Sequence, residues 1–366
     1  MAGDVTQALL EEADLESAAA LALAEPLARE LWKYTPVQGF VDAVRAATGG
    51  RAELSGCDQP GVRVLPLDSL DAESKALLQQ AVARQRLAER YPLTDLAWAR
   101  AAGGWFVSIS GAVAEPLTIR YAEPGVVPLF VHLAAGARAT LLERADADGF
   151  LAQTTLVAVD DGAELEHVRQ ALQPGPGHYS SLNVRLGANA RYRLNHTVCG
   201  GRRRRAEVHV TLDGRGAEAE LGGAYLVEGG GHLDQQVVVE HRIGDTVSRQ
   251  TFHGIGAGKG RSVFNGRIHI HPHAARSDAR LNNRNLAVHP EAEMNTKPEL
   301  EIYTDDVRCA HGATVGQLSA DAQFYLVSRG IPAAEARRLL SHGFVRECLW
   351  GPWADAAAER FRAALP

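Results

Sequence analysis

The sequence has few cysteines, few aromatic residues and no long apolar run. Only four cysteines occur in 366 residues, and none forms a CxxC pair, which argues against a zinc ribbon and against the disulfide framework of a small secreted protein. No apolar run approaches the roughly 20 residues of a transmembrane helix. The acidic N-terminus lacks the basic segment that opens a signal peptide. We therefore expect reduced thiols, a cytoplasmic location and no membrane span.

Positive charge is also scarce. The formal net charge is −6, whereas nucleic-acid-binding proteins usually have a basic balance. The one basic run, Arg202 to Arg205, has no interleaved aromatic residues for stacking on bases. We therefore expect no nucleic-acid partner, and we interpret the run as a solvated loop.

Glycine is abundant, with 36 residues, and the middle of the chain alternates short β-type runs with Gly/Asp corners. No helical periodicity interrupts these runs, which excludes a βαβ sheet and leaves a sandwich, a barrel or a β-helix. Helices are predicted over residues 4–33 and 69–90, and again after Ser319 and from Pro332. The predicted strands cover residues 105–110, 117–121, 129–133, 154–159, 181–186, 191–198, 207–212, 237–242 and 267–271.

The segment from Asn295 to Gly316 holds the most informative local pattern. A strand over residues 300–307 is predicted to deliver Cys309 and His311, which are two residues apart and therefore share one face of an extended chain. A neutral imidazole can ligate iron, and a thiolate is a soft metal ligand. Packing of the cysteine is the competing interpretation.

A second metal-like pattern is the run that contains His269, His271 and His273. In a strand the three side chains would share one face, although Pro272 permits this only at a strand edge or end. The sequence places no carboxylate beside them, and a solvent-facing rung is the alternative. This run supports one hypothesis of function, a stand-alone metal-dependent β-helix or cupin-like enzyme.

The segment 295–316 closely resembles the SufB/SufD family of iron–sulfur cluster assembly proteins, and within it the SufD branch. The resemblance extends to residues 263–268 and 278–286, and more weakly to residues 30–35. It implies a mainly β fold, with a right-handed parallel β-helix core over residues 104–310. Helical N-terminal and C-terminal regions, residues 1–103 and 311–366, would flank this core.

The family resemblance also implies partners and site residues. The chain would be a non-catalytic scaffold subunit of a SufB–SufC–SufD complex, contacting SufB through the β-helix end, with a possible homodimer when SufB is absent. A transient iron–sulfur cluster shared with SufB would form at that interface, with His311 and Cys309 as candidate ligands. SufC, an ATPase, would dock on the C-terminal helices.

An amphipathic stripe at spacings of three to four residues supplies candidate SufC anchors. Its members are Ala336, Leu339, Leu340 and Phe344. ATP would be used by SufC and not by this chain, because the glycine-rich run 254–260 has Gly260 where a Walker A loop needs Ser or Thr.

Overall fold

The computed structural model describes residues 32–85, 92–172 and 175–364. The helix predicted over residues 4–33 lies outside these ranges except for its last two positions. Within the described ranges the protein is mainly β, a β-solenoid of about 8 turns flanked by N-terminal and C-terminal helices. No helix in the described part of the chain is long and apolar enough to cross a membrane.

The solenoid consists of two nine-stranded sheets, and from β3 onward successive strands alternate between them. Sheet A has the order β1-β4-β6-β8-β10-β12-β14-β16-β18, and sheet B has the order β17-β15-β13-β11-β9-β7-β5-β3-β2. The strands are β1 Arg51–Ser55, β2 Val62–Pro66, β3 Trp105–Ile109, β4 Leu117–Glu123, β5 Gly125–Leu133, β6 Arg138–Ala145, β7 Phe150–Val159, β8 Glu164–Ala171, β9 Gly177–Leu186, β10 Arg191–Cys199, β11 Arg203–Leu212, β12 Glu218–Val227, β13 His232–His241, β14 Val247–Gly256, β15 Arg261–Ile270, β16 Ser277–Ala287, β17 Glu293–Ile302 and β18 Val307–Gly316.

Stacked side chains of the same type fill the interior. Strands pair in parallel and in register from turn to turn, while β1 and β2 pair antiparallel with β4 and β3 at the N-terminal end. Alternate residues of each strand therefore face inward and form columns along the solenoid axis. One column in sheet B is almost entirely β-branched, which suits a pleated, buried surface. It contains Val107, Val131, Val157, Val184, Val210, Val239, Ile268 and Leu300.

The helices cover the outer faces of the two sheets. The N-terminal helices α1 Gln38–Ala46, α2 Ala72–Gln85 and α3 Pro92–Arg100 pack on sheet B, and a 3₁₀ turn covers Leu67–Ser69. The C-terminal helices are α4 Ala320–Ser328, α5 Ala333–Arg346 and α6 Trp353–Ala364. Helices α5 and α6 bury their apolar residues on sheet A, against Cys199, Ala224, Leu226 and Ile255.

The predicted starts of the C-terminal helices are close to the observed ones. Ser319 caps α4, because its hydroxyl accepts a hydrogen bond from the Ala322 amide. Pro332 is the N-cap residue of α5 and not its first helical residue as predicted. Gly330, with φ of 89°, follows the end of α4 in the left-handed conformation that favours glycine.

The basic run is not the solvated loop that the sequence predicts. It enters the start of β11, where Arg204 and Arg205 are buried. The Arg205 guanidinium pairs with Glu207 at 2.7 Å and Asp234 at 2.5 Å, and its carbon lies 3.7 Å from the centroid of a Trp32 ring. Arg202 and Arg203 remain exposed, whereas residues 32–35, which we call the Trp32 element, cover Arg205. Sequence spacing does not reveal this contact.

Candidate functional site at the open end of the solenoid

The solenoid ends at β17 and β18, and we call these strands with the turn between them the open end. Among the described residues β17 pairs only with β15, and β18 pairs only with β16. Each strand therefore has one edge whose backbone groups meet no further strand. Three apolar side chains are exposed here, Ile302 at 40%, Tyr303 at 59% and Val315 at 51%. Such an end can accept another sheet layer.

The structure corrects the strand predicted over residues 300–307. Strand β17 ends at Ile302 in sheet B, the chain turns, and β18 begins at Val307 in sheet A. This turn stacks on the turn before β16, because the Arg276 amide donates a hydrogen bond to the Asp306 carbonyl at 2.6 Å. The cysteine and histidine therefore lie within a second strand and not beyond the end of the first.

The prediction that Cys309 and His311 share a face is confirmed. They pair in register with Ala279 and Leu281 of β16, two residues of the interior core. Both positions therefore belong to inward-facing columns. Leu281 also continues the column of Gln250, so His311 is the last member of a column whose earlier members are buried. His311 is exposed because no further turn covers it.

The Cys309 thiol is half-buried and packs against the edge of the core. Burial raises the pKa of this thiol above its ordinary value; a hydrogen bond with the Ala279 backbone opposes this, and the nearby Asp278 carboxylate adds to it. The protonated form is therefore favoured at neutral pH, and binding of a metal would have to release the proton. His311, which is more exposed, is better placed to meet an incoming group.

A hydrogen-bonded polar cluster supports β18 from the interior. Asn285 donates to the Thr314 carbonyl at 3.3 Å and to Asn283 Oδ1 at 2.7 Å. Thr296 donates to Asn283 Oδ1 at 2.8 Å, and Tyr225 donates to Asn285 Oδ1 at 2.6 Å. The cluster joins the last turns of both sheets behind the open end. The sequence indicated these asparagines only through their family resemblance.

The histidine run lies in sheet B and has the carboxylate that the sequence did not place. Ligand atoms of Glu240, His269 and His271 lie within 4.8 Å of one another. The sequence grouped His273 with the other two histidines, but His273 is exposed and does not belong to this group. Glu240 pairs in register with His269. Glu240 could have been found from the sequence by the 29-residue spacing that separates it from His269. The same spacing relates Val210, Val239 and Ile268.

The predicted docking stripe divides between two faces of α5. Ala336 and Phe344 are buried, and the Phe344 ring stacks on His253 of the solenoid with centroids 4.4 Å apart. Leu340 is half-buried, and Leu339 is 37% exposed. The neighbouring helix α4 has no buried residue and exposes Phe324, Tyr325 and Val327.

Comparisons with known proteins agree on one family. The family model described as "SUF system FeS cluster assembly, SufBD core domain" matches residues 125–344. The chain is 30% identical over 353 residues to the iron–sulfur cluster assembly protein SufD of Escherichia coli (strain K12), covering 87% of this chain and 83% of that protein. It is 30% identical over 363 residues to an iron–sulfur cluster assembly SufBD family protein of Mycobacterium tuberculosis (strain ATCC 25618 / H37Rv), covering 92% and 87%. Protein ABCI7, chloroplastic, of Arabidopsis thaliana is 33% identical over 197 residues, covering 53% and 41%.

Proposed function

Because this chain belongs to the SufBD family of iron–sulfur cluster assembly proteins, we propose that it is the SufD subunit of a cytoplasmic SufB–SufC–SufD complex. In this complex it is a non-catalytic scaffold, and the nascent cluster is cargo held between subunits. The observation that supports this proposal best is the position of Cys309 and His311. They face inward on the last strand of the solenoid, at an end where two sheet edges meet no further strand of the described chain and apolar residues are exposed.

SufB covers the open end in this proposal. Unpaired strand edges are templates for another chain, and the exposed Ile302, Tyr303 and Val315 supply apolar area for the contact. A second copy of this chain would cover the same edges when SufB is absent, which gives a homodimer. A covering layer would also enclose His311 and Cys309, so that an imidazole nitrogen and a thiolate face iron in a dry interface.

SufC docks on the C-terminal helices in this proposal, through Leu339, Leu340 and the exposed face of α4. Phe344 acts indirectly, because it holds α5 against sheet A, and Ala336 is buried and so does not meet SufC directly. A force on α5 reaches the open end through Arg284 of β16, whose guanidinium pairs with Glu347 at 2.6 Å. Strand β16 is the neighbour of β18. Dimerisation of SufC on binding ATP would thus pull on the C-terminal helices and open the SufB contact.

Co-expression with the cognate SufB and SufC, purified by a tag on this chain alone, tests the proposal. We expect a three-protein complex whose iron and sulfide content falls in His311→Ala, while His273→Ala, a change at another exposed histidine, keeps the wild-type content. A complex that forms with unchanged content in His311→Ala removes His311 from the site. Failure of any partner to co-purify contradicts the scaffold role.

The same purification tests the docking surface. Leu339→Glu places a charge on the exposed face of α5 and is expected to remove SufC while SufB stays bound. Ala333→Glu adds the same charge at the exposed start of the same helix and is expected to retain SufC. Equal retention of SufC in both variants would exclude Leu339 from the contact.

A further inference from the structure

We propose that Glu240, His269 and His271 form a binding site for a divalent first-row transition-metal ion on the outer face of sheet B. This site is separate from the Cys309–His311 pair, because it lies on the outer face of strands β13 and β15 in sheet B, whereas the pair faces inward on β18 in sheet A. Its existence depends only on the three side chains. The further assignment of Fe²⁺ as the physiological ion rests on the proposed function.

The donor atoms are already close to the distances that an ion requires. His271 Nε2 lies 3.4 Å from Glu240 Oε2, and all three donors lie within 4.8 Å of one another. Two ligands bound to one ion at about 2.1 Å stand roughly 3 to 3.4 Å apart. The two imidazole rings stack with centroids 4.1 Å apart and an interplanar angle of 10°. Small side-chain rotations therefore complete the site.

Regular backbone structure positions these ligands. Glu240 and His269 are directly paired residues of adjacent parallel strands. The His271 amide donates to the His241 carbonyl at 3.0 Å, which continues the same ladder beyond the end of β15. His269 and His271 consequently point to the same face. Ligands on strands lose little conformational freedom on binding an ion, which favours a real site over a chance cluster.

The donor set selects the class of metal. Two imidazoles and one carboxylate suit Zn²⁺, Fe²⁺ and Co²⁺, whereas Mg²⁺ and Ca²⁺ prefer oxygen ligands.

Charges around the site set its strength. Arg242 lies 3.3 Å from Glu240 Oε2, and Arg267 pairs with Glu301, whose carboxylate is 3.3 Å from His269 Nδ1. The two arginines oppose a cation, but each already neutralises a carboxylate. Arg242 is partly exposed and can swing into solvent when an ion takes its place. We expect moderate affinity, which suits an ion that must leave again.

The position of the site links it to the open end. The His269 ring lies 5.4 Å, centroid to centroid, from the ring of Tyr303, which belongs to the turn between β17 and β18. An ion held here would therefore lie beside the surface that SufB is proposed to cover. This proximity makes the site a candidate for holding iron before cluster formation.

Metal titration of the isolated chain tests the site. The protein is purified without a histidine tag, stripped with chelator and titrated with Co²⁺, whose visible absorption reports nitrogen and oxygen ligation. Anaerobic equilibrium dialysis then measures Fe²⁺. We expect one ion per chain, with affinity at least about tenfold weaker in His269→Ala, His271→Ala and Glu240→Gln. His273→Ala is the matched control and is expected to bind like wild type.

Two outcomes overturn the site. One is absence of Co²⁺ and Fe²⁺ binding by the wild-type chain, and the other is equal loss in His273→Ala and His269→Ala. Circular dichroism and thermal melting of each variant separate lost ligation from lost folding. His311→Ala is expected to keep full binding by the isolated chain. Because this measurement needs neither SufB nor SufC, its failure is distinct from failure of the scaffold function.

Discussion

The contact between β12 and the C-terminal helices makes a sharp prediction about two glycines. A methyl group added at Gly222 would lie 2.3 Å from the Cys348 carbonyl oxygen and 2.3 Å from a ring carbon of Trp350. A methyl group added at Gly343, in the last turn of α5, would meet nothing within 4 Å. The same Gly→Ala change is therefore expected to have opposite effects on stability at the two positions.

The size of each expected change in stability depends on whether the groups around the added methyl can move away. Trp350 is fixed by two hydrogen bonds with Asn195, at 2.9 and 3.3 Å, and by Arg193 stacked 4.8 Å from its ring centroid. The segment would have to shift by about 1 Å, and overpacking of this kind costs roughly 1 to 3 kcal/mol. In contrast, alanine at exposed position 343 should stabilise α5 by roughly 0.5 to 1 kcal/mol.

Hydrogen exchange measured by mass spectrometry on peptides from residues 333–364 reports this directly. In Gly222→Ala we expect exchange of α5 and α6 to rise by about 5- to 150-fold, the equivalent of about 1 to 3 kcal/mol. In Gly343→Ala exchange of the same peptides should slow. Unchanged protection in Gly222→Ala would refute the close approach of the C-terminal region to sheet A.

Two further predictions concern buried ionisable groups. Arg205→Leu leaves two buried carboxylates without their cation. The free energy of unfolding measured with urea should fall by about 3 to 5 kcal/mol, and by less in Arg205→Lys. Equal stability of Arg205→Leu and wild type would contradict this. Burial lowers the pKa of His196 to about 3 and of His241 to about 4. Unfolded histidine titrates near pH 6.5, so below that pH the unfolded chain takes up protons that the folded chain does not. The free energy of unfolding is therefore highest above pH 6.5 and falls as the pH drops towards the folded pKa values. The expected loss is about 2 kcal/mol per histidine between pH 7 and pH 5. Urea unfolding at both pH values measures this, and His241→Asn should reduce the loss; a flat pH profile would exclude it.

Strands of sheet B were predictable from the sequence, whereas most strands of sheet A were not. The predicted runs fall within or overlap every sheet B strand from β3 to β15, because each of these strands carries apolar, often β-branched residues at successive or alternate positions. In sheet A only β4 and β10 were predicted. Strands such as β12, with two glycines, and β14, which ends in His-Gly-Ile-Gly, resemble loops in sequence. They are strands because a parallel neighbour on each side satisfies their backbone groups.

The sequence by itself determined what depends on local geometry. Alternation along an extended chain put Cys309 and His311 on one face, and a serine hydroxyl within reach of the first helical amides made Ser319 a cap. The tertiary structure decided what depends on distant partners. The register between turns brought Glu240 to His269, and the Trp32 element buried Arg205. Neither contact has a local signal, because both join residues that only the winding of the solenoid and the packing on its outer face bring together.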